Sequence, residues 1–137
     1  MNLVDQIKNR LAKYPAAQYF SSTDSITVLP LSDEGFTVDL TVNSGDSYTV
    51  SFNGWHEDFQ DREEALNVFA LGLSTHCRLR EYRRGRFAYK WTLEFKDGDS
   101  WEKQSTTGLL LFPFWLKAKV YVLQNNLVPE TPLDGRN

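Results

Sequence analysis

The sequence predicts an α+β fold, α-βββ-α-βββ-α in order, with helices packed on one face of a single twisted antiparallel sheet made of two three-stranded meanders. Two patterns predict these elements: some short segments alternate apolar and polar residues, and others repeat apolar residues every three or four positions. In addition, 41% of the residues are hydrophobic and 14% aromatic, which is enough to form a core. We expect residues 1–128 to form a single domain and residues 129–137 a flexible C-terminal tail.

Three helices are predicted from the spacing of their apolar residues. The first buries Leu3, Val4, Ile7, Leu11 and Tyr14 and ends at Pro15. The second begins near Asp61, which precedes Glu64 by three residues as in a capping box, and buries Leu66, Phe69, Ala70 and Leu73. The third follows Pro113 and buries Leu116, Val120, Leu123 and Leu127.

Six strands are predicted from alternation and from the turn sequences between them. They cover residues 26–31, 36–42 and 48–52, a strand led by Cys77 and Leu79, residues 87–95, and residues 101–107. Pro30 indicates that the first strand is an edge strand, because proline cannot donate to a sheet ladder. The polar composition of residues 101–107 also favours an edge position.

The stretch "NGWHEDFQD", residues 53–61, resembles the start of a catalytic motif. A zinc-protease helix needs a second histidine four residues after the first, and the residue at that position is Gln60. The sequence therefore favours a junction between a strand and a helix, in which Asp58 and Asp61 lie near the positive helix N-terminus. A small enzyme that pairs His56 or His76 with a nearby carboxylate stays an alternative, but we predict no catalytic residue, metal site or cofactor.

Cys77 is the single cysteine of the chain. His76 is adjacent to it, but neighbouring residues of a strand point to opposite faces, so His76 is a poor base for this thiol. Cys77 has the same parity as Leu79, which predicts a buried, unreactive side chain.

The segment from Arg78 to Lys90 is the most basic part of the sequence. It holds six basic residues and one acid, a charge of +5, which leaves −8 on the rest of a chain of net charge −3. Alternation places the following side chains on the outer, polar face of the predicted hairpin: His76, Arg78, Arg80, Tyr82, Lys90 and Glu94. These six are the predicted ligand-binding residues, since arginine suits carboxylate and phosphate groups. For such a run of charges, however, a solvated sheet face whose basic residues protect the strands from edge pairing is the favoured interpretation.

The apolar stretch "LLLFPFWLKAK", residues 109–119, allows three interpretations. Packing in the core is favoured over a protein interface, such as a homodimer contact, and over insertion into a membrane interface. The longest apolar run in the chain, residues 109–116, is too short to span a membrane.

The predicted order of elements, the small size and the acidity resemble those of secretion-chaperone-like domains, which run helix, three strands, helix, strands, helix. The resemblance implies a protein that binds a segment of a partner, and it implies no particular functional residues. From the residues alone we predict a cytoplasmic, non-enzymatic binding module that meets a small anion or an acidic protein partner. Nucleic acid and membrane are not expected as partners, because the chain is mildly acidic.

Overall fold

A computed structural model describes residues 2–111 and 113–128 of the chain. Over these residues the fold is mixed α+β, as predicted, with two helices and two antiparallel sheets of five and four strands. The elements are α1 Leu3–Leu11, β1 Gln18–Ser21, β2 Ser25–Leu29, β3 Val38–Asn43, β4 Ser47–Phe52, β5 Trp55–Phe59, α2 Arg62–Gly72, β6 Cys77–Arg84, β7 Phe87–Asp97, β8 Ser100–Gly108 and β9 Ala118–Leu123. The predicted tail, residues 129–137, lies outside the described residues.

The predicted single sheet is wrong. Strands β1 to β5 form one antiparallel meander in chain order, and the second sheet has the order β8-β7-β6-β9. Alternation along a strand shows which residues share a face, but it carries no information on which strands are hydrogen-bonded to each other. The two sheets and both helices share one hydrophobic core, to which Leu40 and Phe52 contribute from the first sheet and Leu79 and Leu93 from the second.

Three strands were not predicted, and each has an ambiguous pattern. All four residues of β1 are exposed, so no alternation marks it. Strand β5, which the sequence presented as a junction, buries only Trp55 and Phe59, at its two ends. With β1 present, β2 lies between β1 and β3, so the predicted edge position of that strand is wrong, and Pro30 lies just beyond its last residue.

The predicted third helix is also wrong, because residues 118–123 form strand β9. Leu123 and Leu127 are buried as expected, but Leu116 and Val120 are 40% and 47% exposed, so the helical spacing does not mark a buried face. The consecutive residues Val120, Tyr121 and Val122 are of types that favour strands. Without this helix, the described elements no longer follow the order on which the resemblance to secretion-chaperone-like domains was based.

Both of the predicted helices that remain have an N-terminal cap, and the cap of α2 is the predicted Asp61. The Asn2 side chain accepts a hydrogen bond from the backbone N–H of Asp5 at the start of α1, and Asp61 accepts one from Glu63 at the start of α2. The end of α2 packs tightly on the first sheet, where a Cβ atom added to Gly72 would lie 2.5 Å from the ring of Phe52. Neither helix of the described ranges is long and apolar enough to cross a lipid bilayer.

Side-chain contacts join the edge strand of one sheet to the edge strand of the other. The indole Nε1 of Trp55 on β5 donates to Ser105 Oγ on β8 at 2.8 Å. The backbone N–H of His56 donates to Thr107 Oγ1 at 3.3 Å. Strands β5 and β8 therefore contact each other, whereas β1 and β9 form the opposite edges of the two sheets.

Candidate functional site

The β6–β7 hairpin carries the predicted ligand-binding residues on one face of the second sheet. Its register pairs Arg78 with Glu94 and Tyr82 with Lys90, and residues directly opposite each other share a face. Arg80 lies between Arg78 and Tyr82 in the same alternation. His76 comes immediately before β6, and its backbone carbonyl accepts a hydrogen bond from the N–H of Lys96. The structure thus places five of the six residues on the outer face of the hairpin and the sixth at its end.

Glu94 binds two of the outer-face arginines of β6, Arg78 and Arg80. The Nε of Arg78 lies 2.5 Å from Glu94 Oε1, and the Nε of Arg80 lies 3.1 Å from Glu94 Oε2. Burial alone would raise the pKa of Glu94, whose side chain is 11% exposed, but the hydrogen bonds and charges of the two arginines outweigh burial and lower that pKa. An external anion would therefore compete with an internal carboxylate for these guanidinium groups.

Arg83 and Lys90 of the hairpin also contact groups of the protein. Arg83 forms an ion pair with Glu81 at 2.6 Å and lies over the ring of Tyr121. The ammonium group of Lys90 lies 4.3 Å from the centre of the Tyr82 ring. Arg86 is exposed beside the turn. Few of the positively charged groups that give this segment its +5 charge are therefore available to a ligand.

Glu81 forms a polar cluster on the inner face that sequence reasoning missed. Its carboxylate accepts hydrogen bonds from Asn53 Nδ2 at 3.1 Å and from the Trp91 indole at 2.8 Å, in addition to the bonds from Arg83. Asn53 follows β4, so this carboxylate joins the two sheets. Next to it, Gly54 lies against Trp91 so closely that an added Cβ atom would be 2.2 Å from the indole ring. The signal was present in the sequence, since Glu81 has the parity of Cys77 and Leu79.

The two histidines of the enzyme alternative lie at different sheets and share no described cleft. His56 is exposed on β5, with Nδ1 3.3 Å from the carbonyl oxygen of Gly54, whereas His76 precedes β6 in the other sheet. A cleft of about 140 Å³, whose lining includes Leu3, Asp24 and Arg62, contains no histidine. No group of three or more His, Cys, Asp and Glu side chains within the described ranges is arranged to hold a metal ion.

Cys77 is buried, as predicted. Burial raises the pKa of its thiol far above the usual range, so the nucleophilic thiolate is not formed at neutral pH.

A β-bulge changes the faces at the turn end of the hairpin. The register shifts between Tyr82 and Arg83, so that Arg84 pairs with Phe87. One extra residue on β7 reverses the alternation beyond this point. Unbroken alternation along residues 87–95 would put Phe87 on the same face as Trp91, but with the bulge it is 45% exposed on the outer face. Trp91 itself is 8% exposed, as expected for a core residue.

The segment before β9 exposes apolar side chains that the sequence favoured as core. Leu110 is 95% exposed, and Phe114 and Trp115 are 71% and 72% exposed. The expectation that this segment packs in the core is therefore wrong for its described residues; Phe112 lies outside them. We call residues 109–111 and 113–116 the apolar segment.

Two contacts hold the apolar segment against the turn of the hairpin. Arg84 Nη1 donates to the carbonyl oxygens of Phe114 and Leu116, at 3.2 Å and 3.0 Å. The Leu116 side chain lies against Gly85, where an added Cβ atom would be only 2.8 Å away and where φ is +63°. A glycine suits this turn for both reasons. The hairpin thus positions the chain so that Phe114 and Trp115 face solvent.

Strand β9 continues this surface. Its residues are exposed on both faces except for Leu123, and Val122 is 48% exposed. Lys117 and Lys119 are both exposed, and the sequence from residue 104 to residue 123 contains no acidic residue. The apolar segment and β9 therefore form a surface that is both apolar and cationic, which we call the β9 surface.

Comparisons of the chain with protein-family models, with curated proteins and with solved structures found no match.

Proposed function

We propose that this protein is a non-enzymatic interaction module that binds an acidic, partly apolar segment of another protein on the β9 surface. The proposed partner is acidic, as expected from the sequence. It contacts β9, the strand next to β6, and not the outer face of the β6–β7 hairpin. The small-anion variant of that expectation is less favoured, because Arg78 and Arg80 already contact Glu94.

The clustering of exposed apolar side chains is the observation that carries this proposal. Nine of the fourteen large hydrophobic residues that are exposed within the described ranges lie between Leu109 and Val122. Single exposed apolar residues are normal on a protein surface, but a contiguous group of them is typical of a protein–protein contact site. The aromatic residues Phe114 and Trp115 belong to types that are enriched in such contacts.

Charge supports an acidic partner rather than a neutral or basic one. Lys117 and Lys119 lie within the apolar surface, and Arg86 is exposed at the hairpin turn that the apolar segment contacts. A carboxylate-bearing partner would gain from these charges in its rate of association and in its selectivity.

The secretion-chaperone-like alternative also assigns the protein a partner segment. It places the contact on an exposed apolar stripe of the first or last helix. In the structure Leu3, Val4, Ile7 and Leu11 of α1 are all buried, and the last predicted helix is replaced by β9. A holding role for a partner segment would therefore use the same β9 surface.

Peptide binding measured by fluorescence anisotropy tests the proposed function. The probe is a labelled peptide of about ten residues that alternates glutamate with valine or isoleucine, long enough to span one strand. A matched peptide carries lysine in place of each glutamate. We expect the acidic peptide to bind at least about tenfold more tightly than the basic one, and we expect added salt to weaken it.

A charge-reversed variant with a matched control locates the contact. Lys117→Glu combined with Lys119→Glu should weaken binding of the acidic peptide by about tenfold or more, because attraction becomes repulsion. Lys8→Glu combined with Lys13→Glu makes the same change in net charge at exposed positions of α1 and just after it. Equal losses in both variants, or equal binding of the acidic and basic peptides, would show the proposal to be wrong.

Two further probes separate a protein partner from other anionic surfaces. Vesicles that contain anionic lipid test insertion of Phe114 and Trp115 into a membrane interface. A single-stranded oligonucleotide tests stacking of bases on the same aromatic rings. Tighter binding of either probe than of the acidic peptide would reject the proposed partner in favour of that class.

A further inference from the structure

We propose that the partner segment adds to the edge of β9 as a new strand of the second sheet, with acidic and apolar residues in alternation. This inference rests on the proposed function and specifies the binding mode and the partner's sequence pattern. Extended peptides bind other proteins in this way when a sheet presents a free edge, with backbone hydrogen bonds supplying affinity and side chains supplying selectivity.

The direction of the backbone groups of β9 follows from its pairing with β6. The N–H of Gly85 donates to the carbonyl oxygen of Lys117, and the register continues from there with Arg83 opposite Lys119. In an antiparallel pair, hydrogen-bonded and non-hydrogen-bonded residue pairs alternate. Residues 119, 121 and 123 therefore bond to β6, whereas the N–H and C=O groups of residues 118, 120 and 122 point away from it.

A contact just beyond the strand is in agreement with this assignment. Gln124 has the parity of Val120 and Val122, and its N–H donates at 2.8 Å to the carbonyl oxygen of Glu34, which lies outside the second sheet. At residue 124 the outward N–H is thus already used by another part of the chain, and the edge that is open to a partner ends before this residue. The edge that a partner could use runs from Ala118 to Val122 and offers outward backbone groups at every second residue.

The side chains along this edge determine the pattern that a partner should have. Residues directly opposite each other share a face of the sheet. On the outer face a partner residue would meet Val120 or Val122, beside Phe87 and Tyr82, so an apolar residue suits these positions. On the inner face it would meet Lys119 or Tyr121, and an acidic residue suits the position opposite Lys119. Apolar and acidic residues should consequently alternate.

The other sheet edges in the described ranges are less suited to this partner. Strands β5 and β8 contact each other through Trp55 and Ser105, so each is partly covered. Strand β5 also carries Glu57 and Asp58, which would repel an acidic segment. Strand β1 has exposed aromatic residues but no basic residue. Of these edges, that of β9 combines exposed apolar residues with positive charge.

Charge also favours an acidic partner over a second copy of this chain. Antiparallel pairing of two β9 strands centred on residue 118 would place Lys117 of one copy directly opposite Lys119 of the other. Like charges on neighbouring strands are destabilising, and lysine on an edge strand discourages self-pairing. The same lysines would attract a carboxylate.

Amide hydrogen exchange, measured by NMR with the acidic peptide described above, tests the inference at single residues. In the free protein we expect the amides of Ala118, Val120 and Val122 to exchange much faster than those of Lys119 and Tyr121, which bond to β6. Saturating peptide should slow exchange at 118, 120 and 122 by about tenfold or more and change 119 and 121 little. Unchanged exchange at the three even positions would overturn strand addition.

N-methylated peptides supply a second measurement that leaves the protein unaltered. Only alternate backbone amides of an added strand face β9, so methylating one set should weaken binding by about tenfold or more and methylating the other set should have little effect. Equal effects of the two sets would contradict an added strand. Val120→Pro removes one outward N–H, and Val120→Thr keeps it; the proline variant should lose much more affinity than the threonine variant.

The outcomes separate this inference from the proposed function. If the acidic peptide binds and depends on Lys117 and Lys119, but exchange at residues 118, 120 and 122 is unchanged, strand addition is wrong and the proposed function stands. If the peptide does not bind, both are wrong. If these three amides are already protected in the free protein and sedimentation shows a dimer, the edge is occupied by a second copy instead.

Discussion

Strands β6 and β9 are neighbours in one sheet, but their side chains have different surroundings. The charged residues of β6 bind other groups of the fold: Arg78 and Arg80 bind Glu94, and Arg83 binds Glu81. The residues of β9 face solvent on both sides of the sheet, except at Leu123. The strand with most charge in the sequence is thus the one whose charges are mainly used inside the protein. Density of charge in a sequence is a poor measure of charge available to a partner.

The largest loss of stability is expected for Trp91→Ala, because this side chain of the second sheet is buried. The indole packs against Gly54 and donates to Glu81, so truncation leaves both a cavity and a carboxylate with one donor fewer. We expect the free energy of unfolding to fall by about 3–5 kcal/mol. Chemical denaturation would measure it. A loss below about 1 kcal/mol would mean that the indole is not part of the core.

A smaller loss is expected when both partners of Glu94 are removed. Arg78→Ala combined with Arg80→Ala leaves a largely buried carboxylate without these two donors, which should cost about 1–3 kcal/mol in the free energy of unfolding. Adding Glu94→Val to this variant should recover part of the loss, because the unsatisfied charge is then gone. No recovery in the triple variant would show that Glu94 is well solvated without the arginines.

The pH dependence of stability tests the same ion pairs without replacing an arginine. The pKa of Glu94 is lower in the folded protein than its ordinary value of 4.5, so its ionised form stabilises the fold above that value. This contribution is lost as the pH falls below 4.5 and through the folded-state pKa. Between about pH 5 and pH 3 the melting temperature of Glu94→Gln should fall less than that of the unaltered protein. Parallel curves would contradict the lowered pKa.

The smallest effect on stability is expected on β9. Val120→Thr combined with Val122→Thr keeps the β-branched shape at two exposed positions, so the free energy of unfolding should change by about 0.5 kcal/mol or less per residue. Thermal melts of this variant and of Trp91→Ala, measured side by side, would sharpen the contrast between the two strands. A large loss for the valine variant would mean that β9 packs on the fold more closely than its exposure indicates.

Much of the fold was predictable where one face of an element is buried. The strand beginning at Cys77 and the strand around Trp91 follow the predicted alternation, and α1 buries Leu3, Val4, Ile7 and Leu11 as its spacing indicates. Prediction failed where burial leaves no simple pattern. Strand β1 is wholly exposed, β5 is buried only at its ends, and β9 is exposed on both faces.

The sequence predicted which residues of the candidate site share a face, but not the contacts that they make. The alternation of β6 and β7 brought Arg78, Arg80, Tyr82, Lys90 and Glu94 to one face, but it did not show that Glu94 would bind both arginines. The sequence also marked residues 109–119 as unusual while favouring their burial. Hydrophobicity alone does not distinguish a core segment from an exposed interaction surface, since both are rich in the same side chains.

The sequence by itself determined the mixed α+β composition, the cap at Asp61 and the face on which most residues of the β6–β7 hairpin lie. These properties depend on interactions between residues close in the chain, or on the fixed two-residue period of a strand. Only the tertiary structure decided that there are two sheets within the described residues, that the bulge exposes Phe87 and that Glu81 joins the sheets. Contacts such as that between Asn53 and Glu81 join residues far apart in sequence, so they depend on how the sheets pack and not on any local pattern.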